Sequence, residues 1–239
     1  PFTGVDIAGI EALSLAARSD KYHRKSMKPL PRRKLREQVP LLDCFIAPCQ
    51  DGCPIHQNIP EYMELCRKGE YVSALALIMA KNPLPFITGT LCAHNCMNKC
   101  TRNYYDQPVN IRATKLVAAE KGYEELMACL KPPAPAASRA RAAVIGGGPT
   151  GIYAAYFLGR AGIPVTLFEK SSQLGGVVRR VIPAWRISDD AIDKDAALMK
   201  AMGVEVRLNT PAPTVAELKA QGYTHIFFAV GAWRAGKLD

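Results

Sequence analysis

No apolar run in this chain approaches the ~18 residues a membrane span requires, and the basic stretch near its start is not followed by the apolar segment of a secretory signal. A soluble, cytoplasmic protein with no membrane span is expected. The chain also has no internal repeat, and none of its cysteines forms the C-x2-C pair that zinc knuckles favour. It does not begin with methionine, and it stops at Asp239 a few residues past a predicted strand, so the reading expects a fragment. Its 49% hydrophobic and 22% charged residues are ordinary for a globular protein, and 239 residues leave room for two modest domains.

The net charge of +10 is concentrated near the start, where residues 18–36 carry nine lysines and arginines against Asp20. Such a stretch could neutralise phosphates, but Tyr22 is its only aromatic residue and no nucleic-acid-binding signature accompanies it. The expected role of residues 1–40 is a basic extension, solvated or docked on another subunit, with no nucleic acid as partner.

All eight cysteines lie between residues 41 and 131. Helical patterns are expected from Asn58 to Gly69, over 70–80 and over 111–130, with Gly122 a break in the last. Lys131 to Ser138, rich in proline and alanine, places a linker at 132–141. From 142 to 239 strand and helix alternate, with strands expected at 142–146, 164–169, 204–208 and 225–230 and helices at 149–161, 189–202 and 214–221. That alternation implies a parallel sheet.

Six cysteines form two tight groups, Cys44-x4-Cys49-x3-Cys53-Pro54 and Cys92-x3-Cys96-x3-Cys100. With no secretory signal the thiols should stay reduced, which favours a metal over a disulfide framework. The spacings and the proline after Cys53 suit a cluster loop better than a zinc site. Cys66 and Cys129 fall on helical stripes with Met63 and Leu126 and are expected in the core. Lys99, Arg102, Arg112 and Lys115 lie close in sequence to the second group. They read equally well as charges that favour cluster reduction and as solvated helix residues.

The phrase Val144-Ile145-Gly146-Gly147-Gly148-Pro149-Thr150-Gly151 follows an apolar strand and opens a helix, the context in which G-x-G-x-x-G marks a dinucleotide site. Gly146 serves the tight turn, Gly148 the approach of the pyrophosphate, and Gly151 the contact of helix with strand. Glu169, at the end of the next strand, is placed to accept ribose hydroxyls.

Both cysteine groups and the glycine motif resemble the glutamate synthase small subunit and the N-terminal module of dihydropyrimidine dehydrogenase. The phrases Leu41–Cys49 and Asn82–Gly89 further resemble the selenate reductase iron–sulfur subunit family. The resemblance implies an α-helical iron–sulfur domain of the ferredoxin-like alpha-helical kind at 41–131, then an α/β Rossmann-like FAD-binding domain, truncated, at 142–239. It implies that Cys44, Cys49 and Cys100 hold one [4Fe–4S] cluster and Cys53, Cys92 and Cys96 the other. Leu41 and Lys115 stand where relatives place fourth ligands, which leaves a [3Fe–4S] species, a substitute such as Asp43 or His94, or no cluster.

The run Glu169 to Gly176 resembles the second flavin loop of two-dinucleotide flavoproteins, and Arg179 to Ile187 the segment after it in glutamate synthase small subunits. His225 to Gly231 resembles the strand that passes the flavin. Carried over, these make Pro149, Lys170, Gly175, Gly176, Arg186 and Gly231 cofactor contacts beside Gly146, Gly148, Gly151 and Glu169. The implied function is electron transfer between FAD and the clusters, with NADPH bound by the full-length protein and other domains or subunits of a reductase as partners. No catalytic acid or base is expected. One alternative is the electron-input subunit of a glutamate synthase or pyrimidine dehydrogenase-type enzyme, and a rival of another class is a zinc-stabilised interaction protein with a degenerate Rossmann scaffold.

Overall fold

The computed structural model describes residues 46–104, 106–137 and 139–232, with residues 12 and 15 besides. The expected basic extension, Leu41, Asp43 and Cys44 lie outside the described residues, apart from those two isolated positions.

The first half is helical: α1 (Pro48–Asp51), α2 (Ile59–Lys68), α3 (Tyr71–Met79), α4 (Pro85–Leu91), α5 (Asn95–Asn98), a 3-10 turn (Thr101–Tyr104) and α6 (Ile111–Cys129). Helix α2 begins with Pro60 in its first turn and ends on Gly69, whose φ of 82° lets its N–H close back on the Cys66 carbonyl. Helix α6 opens on Asn110, whose side chain accepts the Ala113 N–H.

Three expectations are corrected here. Helix α6 runs unbroken through Gly122, which is there because a Cβ would lie 2.6 Å from the Tyr71 carbonyl oxygen and push α3 away. Cys129 is exposed at the end of α6 rather than packed, whereas Cys66 is partly buried as expected. Helix α4 was hidden by its prolines: Asn82-Pro83 reads as a stop, yet Pro85 is the first residue of a new helix, where its missing N–H costs nothing.

The second half is β1 (Ala142–Ile145), α7 (Pro149–Arg160), β2 (Val165–Phe168), α8 (Val177–Arg180), α9 (Asp189–Lys200), β3 (Glu205–Arg207), α10 (Val215–Ala220) and β4 (His225–Phe228). The four strands form one sheet in the order β3-β2-β1-β4, parallel throughout, with Ala142 opposite both Val165 and His225. Strands β1 and β2 are buried along their whole length, as a sheet covered on both faces requires. Ser188 caps α9, with Asp189 and Asp190 in its first turn and Lys200 in its last, and α10 carries a full capping box between Thr214 and Glu217.

One core is shared between the halves. Leu75, Met79, Phe86, Ile87 and Leu126 pack in the same cluster as Ile152, Ala155, Ile192 and Met199. Leu218 and Tyr223 cover the other face of the sheet against Ala143, Ile145 and Phe168. A separate cluster, built on Ile59, Tyr62, Ala74, Ile78 and Ile111, surrounds Cys96, with Cys49, Cys53 and Cys66 at its margin. Among the described residues no helix is long and apolar enough to cross a membrane.

Candidate functional site: a dinucleotide cleft and a cysteine cradle

Strand β1 is flanked by β2 and β4, so the order in which strands are added reverses beside it, and at the C-terminal ends of strands at such a switch point open parallel sheets bind ligands. A cleft of about 590 Å³ lies there. Gly146 turns the chain at φ 109°, its N–H donating to the Phe168 carbonyl at 2.8 Å, and a Cβ on it would meet the Ala229 carbonyl oxygen at 2.5 Å. At Gly151 a Cβ would fall 1.8 Å from the Gly146 carbonyl oxygen, so α7 packs on the loop only because that position is bare. Gly148 differs: the nearest atom to a Cβ there is Gly176 Cα at 3.8 Å, and the protein itself does not need the space. A glycine whose emptiness serves no internal packing, at the start of a twelve-residue helix, suits the approach of a pyrophosphate.

Glu169 is almost buried, and each carboxylate oxygen already accepts one backbone N–H: Oε2 from Gly147 at 2.7 Å and Oε1 from Ser171 at 2.9 Å. Each oxygen keeps a second acceptor site, available to a ribose hydroxyl. The residue thus ties the glycine loop to the end of β2 while lining the cleft. The Gly175 N–H donates to the Gly147 carbonyl at 2.8 Å and lays the second loop on the first. Arg179 holds that loop from behind, donating Nε to the Leu174 carbonyl and pairing with Asp189 and Asp193 of α9.

Of the cofactor contacts expected from sequence, Gly146, Gly148, Pro149, Glu169, Lys170, Gly176 and Gly231 line the cleft. Gly151 and Gly175 shape it from behind. Arg186 is not brought to it: that residue lines a shallower groove of about 290 Å³ with Trp185 and Phe86, between α4 and α9. Sequence reasoning did not name Thr150 and Thr210, which also line the cleft, nor Arg179.

The second candidate site is the cysteine cradle. All seven described cysteines are free thiols. Burial first, then the charges of Cys53 and Cys92, push the Cys96 thiol up, while Lys115 and the Met97 N–H pull it down. Burial likewise raises Cys49, against its hydrogen bond from Gln50, and the charges it feels are those of Cys100 and Cys53. Tyr62, raised chiefly by burial, senses Cys96, Cys53, Cys49 and Cys66 together. The sulfurs of the two sequence groups therefore interleave in space. The His94 N–H donates to Cys92 Sγ at 3.4 Å, and Arg112 donates to the Cys92 carbonyl at 3.2 Å.

Among the described residues no three ligand-type side chains form a group that could hold a single metal ion. Thiolates are the soft donors an iron–sulfur cluster takes, and Cys49, Cys53 and Cys96 pack in one cluster.

Lys115 is buried, which lowers its pKa against the opposing pull of Cys92, Cys53, Cys96 and Asp195. The reading of this lysine as a solvated residue is therefore corrected. His94 sits at φ 49° at the N-terminal end of α5, its ring against the Ala93 carbonyl.

Comparison with known proteins agrees with this division. Residues 24–126 match the family model described as dihydropyrimidine dehydrogenase domain II, 4Fe-4S cluster, and residues 144–203 match the NAD(P)-binding Rossmann-like domain. The chain is 43% identical to YgfK of Escherichia coli (strain K12) over 95% of its length and 22% of that protein's. It is 32% identical to the glutamate synthase [NADPH] small chain of Mycobacterium tuberculosis, covering 88% of this chain and 44% of the relative. It is also 32% identical to the NADPH-Fe(3+) oxidoreductase subunit beta of Geobacter sulfurreducens, covering 81% and 29%. The chain thus spans less than half the length of each of these three relatives. What it contains is an iron–sulfur domain followed by an NAD(P)-binding Rossmann-like domain with a parallel sheet.

Proposed function

We propose that this chain is the electron-transfer module of an NAD(P)H-dependent iron–sulfur flavoprotein oxidoreductase, passing electrons between FAD and two clusters. Residues 41–131 form the cluster domain, 132–141 the linker and 142–239 the first part of the FAD-binding domain. FAD supplies two-electron chemistry with the nicotinamide and one-electron chemistry with the clusters. The chain's own residues bind and orient. The N-terminal end of α7 and Gly148 receive the pyrophosphate, Glu169 the ribose, and thiols of both groups, Cys96 buried and the other described ones half-buried, hold the iron.

One observation carries this reading: Cys49 and Cys53 of the first group pack in one cluster with Cys96 of the second, so thiols from both groups lie together. The division into Cys44, Cys49 and Cys100 for one cluster and Cys53, Cys92 and Cys96 for the other rests on the family resemblance. The likeness to subunits of larger oxidoreductases supports other subunits or domains as partners. The finer label, a selenate reductase-type subunit, rests only on the Leu41–Cys49 and Asn82–Gly89 phrases. Anaerobic purification with iron, sulfide and zinc analysis and electron paramagnetic resonance tests the proposal. Brown protein with inorganic sulfide is the expected result, and a colourless protein with stoichiometric zinc overturns it.

A further inference from the structure

Helix α4 is anchored by a residue of the opposite half of the fold. Its N-cap position is Leu84, which has no side-chain acceptor, so nothing local satisfies its first N–H groups. Asp195 of α9 does so instead. Its Oδ1 accepts the Phe86 N–H at 3.1 Å and its Oδ2 the Ile87 N–H at 2.8 Å, and the residue is wholly buried. The other end of the helix is Cys92, whose own N–H closes on the Thr88 carbonyl. Five residues therefore separate Phe86, at the pinned end, from Cys92 of the cradle.

The opposite side of α4 is fixed just as closely. At Gly89 a Cβ would lie 3.0 Å from Leu116 Cβ, and the Phe86 ring meets Tyr123 edge-on at 5.4 Å, so α6 leaves little room for sideways movement. Lys115, the neighbour of Leu116, interacts electrostatically with Cys53, Cys92 and Cys96 and also with Asp195. A buried carboxylate is costly unless hydrogen-bonded or paired, and an apolar residue at 195 would have served packing alone.

We infer that Asp195 is a positioning residue for the Cys53, Cys92 and Cys96 triad: acting from the dinucleotide-binding half, it holds the helix that delivers Cys92. This rests on the proposed cluster module and goes beyond it by naming the contact through which the two halves are coupled. The role differs from that of a ligand, because Asp195 reaches the triad through α4.

The test uses the full-length protein, prepared anaerobically, as wild type, Asp195→Asn and Asp195→Glu. Asparagine keeps the shape and one acceptor oxygen but sets an NH2 against one of the two backbone N–H groups, a loss that holds whether or not the carboxyl carries a proton. Amide exchange at Phe86 and Ile87 should rise at least tenfold in Asp195→Asn. Iron content should be kept, and one cluster signal should change in line shape and midpoint potential. Asp195→Glu keeps both oxygens but displaces them by a methylene, so the same signal should change.

An iron-replete Asp195→Asn protein whose line shape and midpoint equal those of wild type overturns this inference and leaves the cluster module standing. Wild-type protein without iron and sulfide overturns both. Should Asp195→Asn not accumulate in folded form, Asp195→Glu decides: a changed line shape and midpoint of that one signal supports the positioning role, and wild-type values overturn it.

Discussion

Gly148 and Gly176 face each other at the mouth of the cleft with no side chain between them: a Cβ on Gly176 would fall 2.9 Å from Gly148 Cα. A Cβ on Gly148 would meet nothing nearer than 3.8 Å, and its φ of −76° is open to any residue. Gly148→Ala should therefore fold with its melting temperature unchanged within about 2 °C, since surface changes of this kind are nearly neutral. Dinucleotide affinity should fall at least roughly tenfold, because the added methyl takes space the pyrophosphate needs. Flavin fluorescence titration and calorimetry on the same samples check both halves.

Gly151→Ala should do the reverse. Its Cβ, 1.8 Å from a carbonyl oxygen, forces helix and loop apart, an overpacking of the kind that costs about 1–3 kcal/mol and at times more. Urea unfolding should place its midpoint well below that of Gly148→Ala.

Asp195 gives the protein a pH dependence of defined sign. Burial pushes its carboxyl up to about 8, against the pull of the Ile87 and Phe86 N–H groups and of Lys115. In the unfolded chain the same group titrates near ~3.9. The folded state thus holds a proton that the unfolded chain has released, so this contribution is complete below the unfolded value and is lost as pH rises through the folded one. Between pH 5 and 8 the urea midpoint of wild type should decline more steeply than that of Asp195→Asn, and parallel curves would contradict the assignment.

Cysteine substitutions should sort by space and not by sequence. Cys53→Ala, Cys92→Ala and Cys96→Ala should each abolish one and the same resonance signal, and Cys49→Ala and Cys100→Ala the other. Cys66→Ser and Cys129→Ser should spare both. Iron counting alongside spectroscopy separates loss of a cluster from a change in its spectrum.

Much of this was legible in the sequence. Strand and helix order after residue 142 followed from alternating apolar strands and capped helices, and the glycine spacing located the cleft. What escaped was set by distant partners. Gly122 looks like a helix break until Tyr71 is known to sit against it. Lys115 reads equally well from sequence as a charge beside the second cysteine group and as a solvated helix residue, because the pattern of α6 does not show that this position is buried. Asp195 left a faint trace: it falls between Ile192, Ala196 and Met199 on the buried stripe of α9, where an acidic residue breaks the pattern. Cys129 failed for the opposite reason, since a helical stripe extends into the last turn whether or not anything lies over it.

The hydrocarbon shared by Leu75, Met79 and Ile87 with Ile152, Ile192 and Met199 bears on the journey of an electron. Neither half can swing on the proline-rich segment joining them while that interior stays closed. With the cofactors of the proposed function in place, the gap between them would be settled once, when the polypeptide folds, so the rate of transfer would answer to solvent viscosity far less than in proteins whose redox carriers ride on tethers.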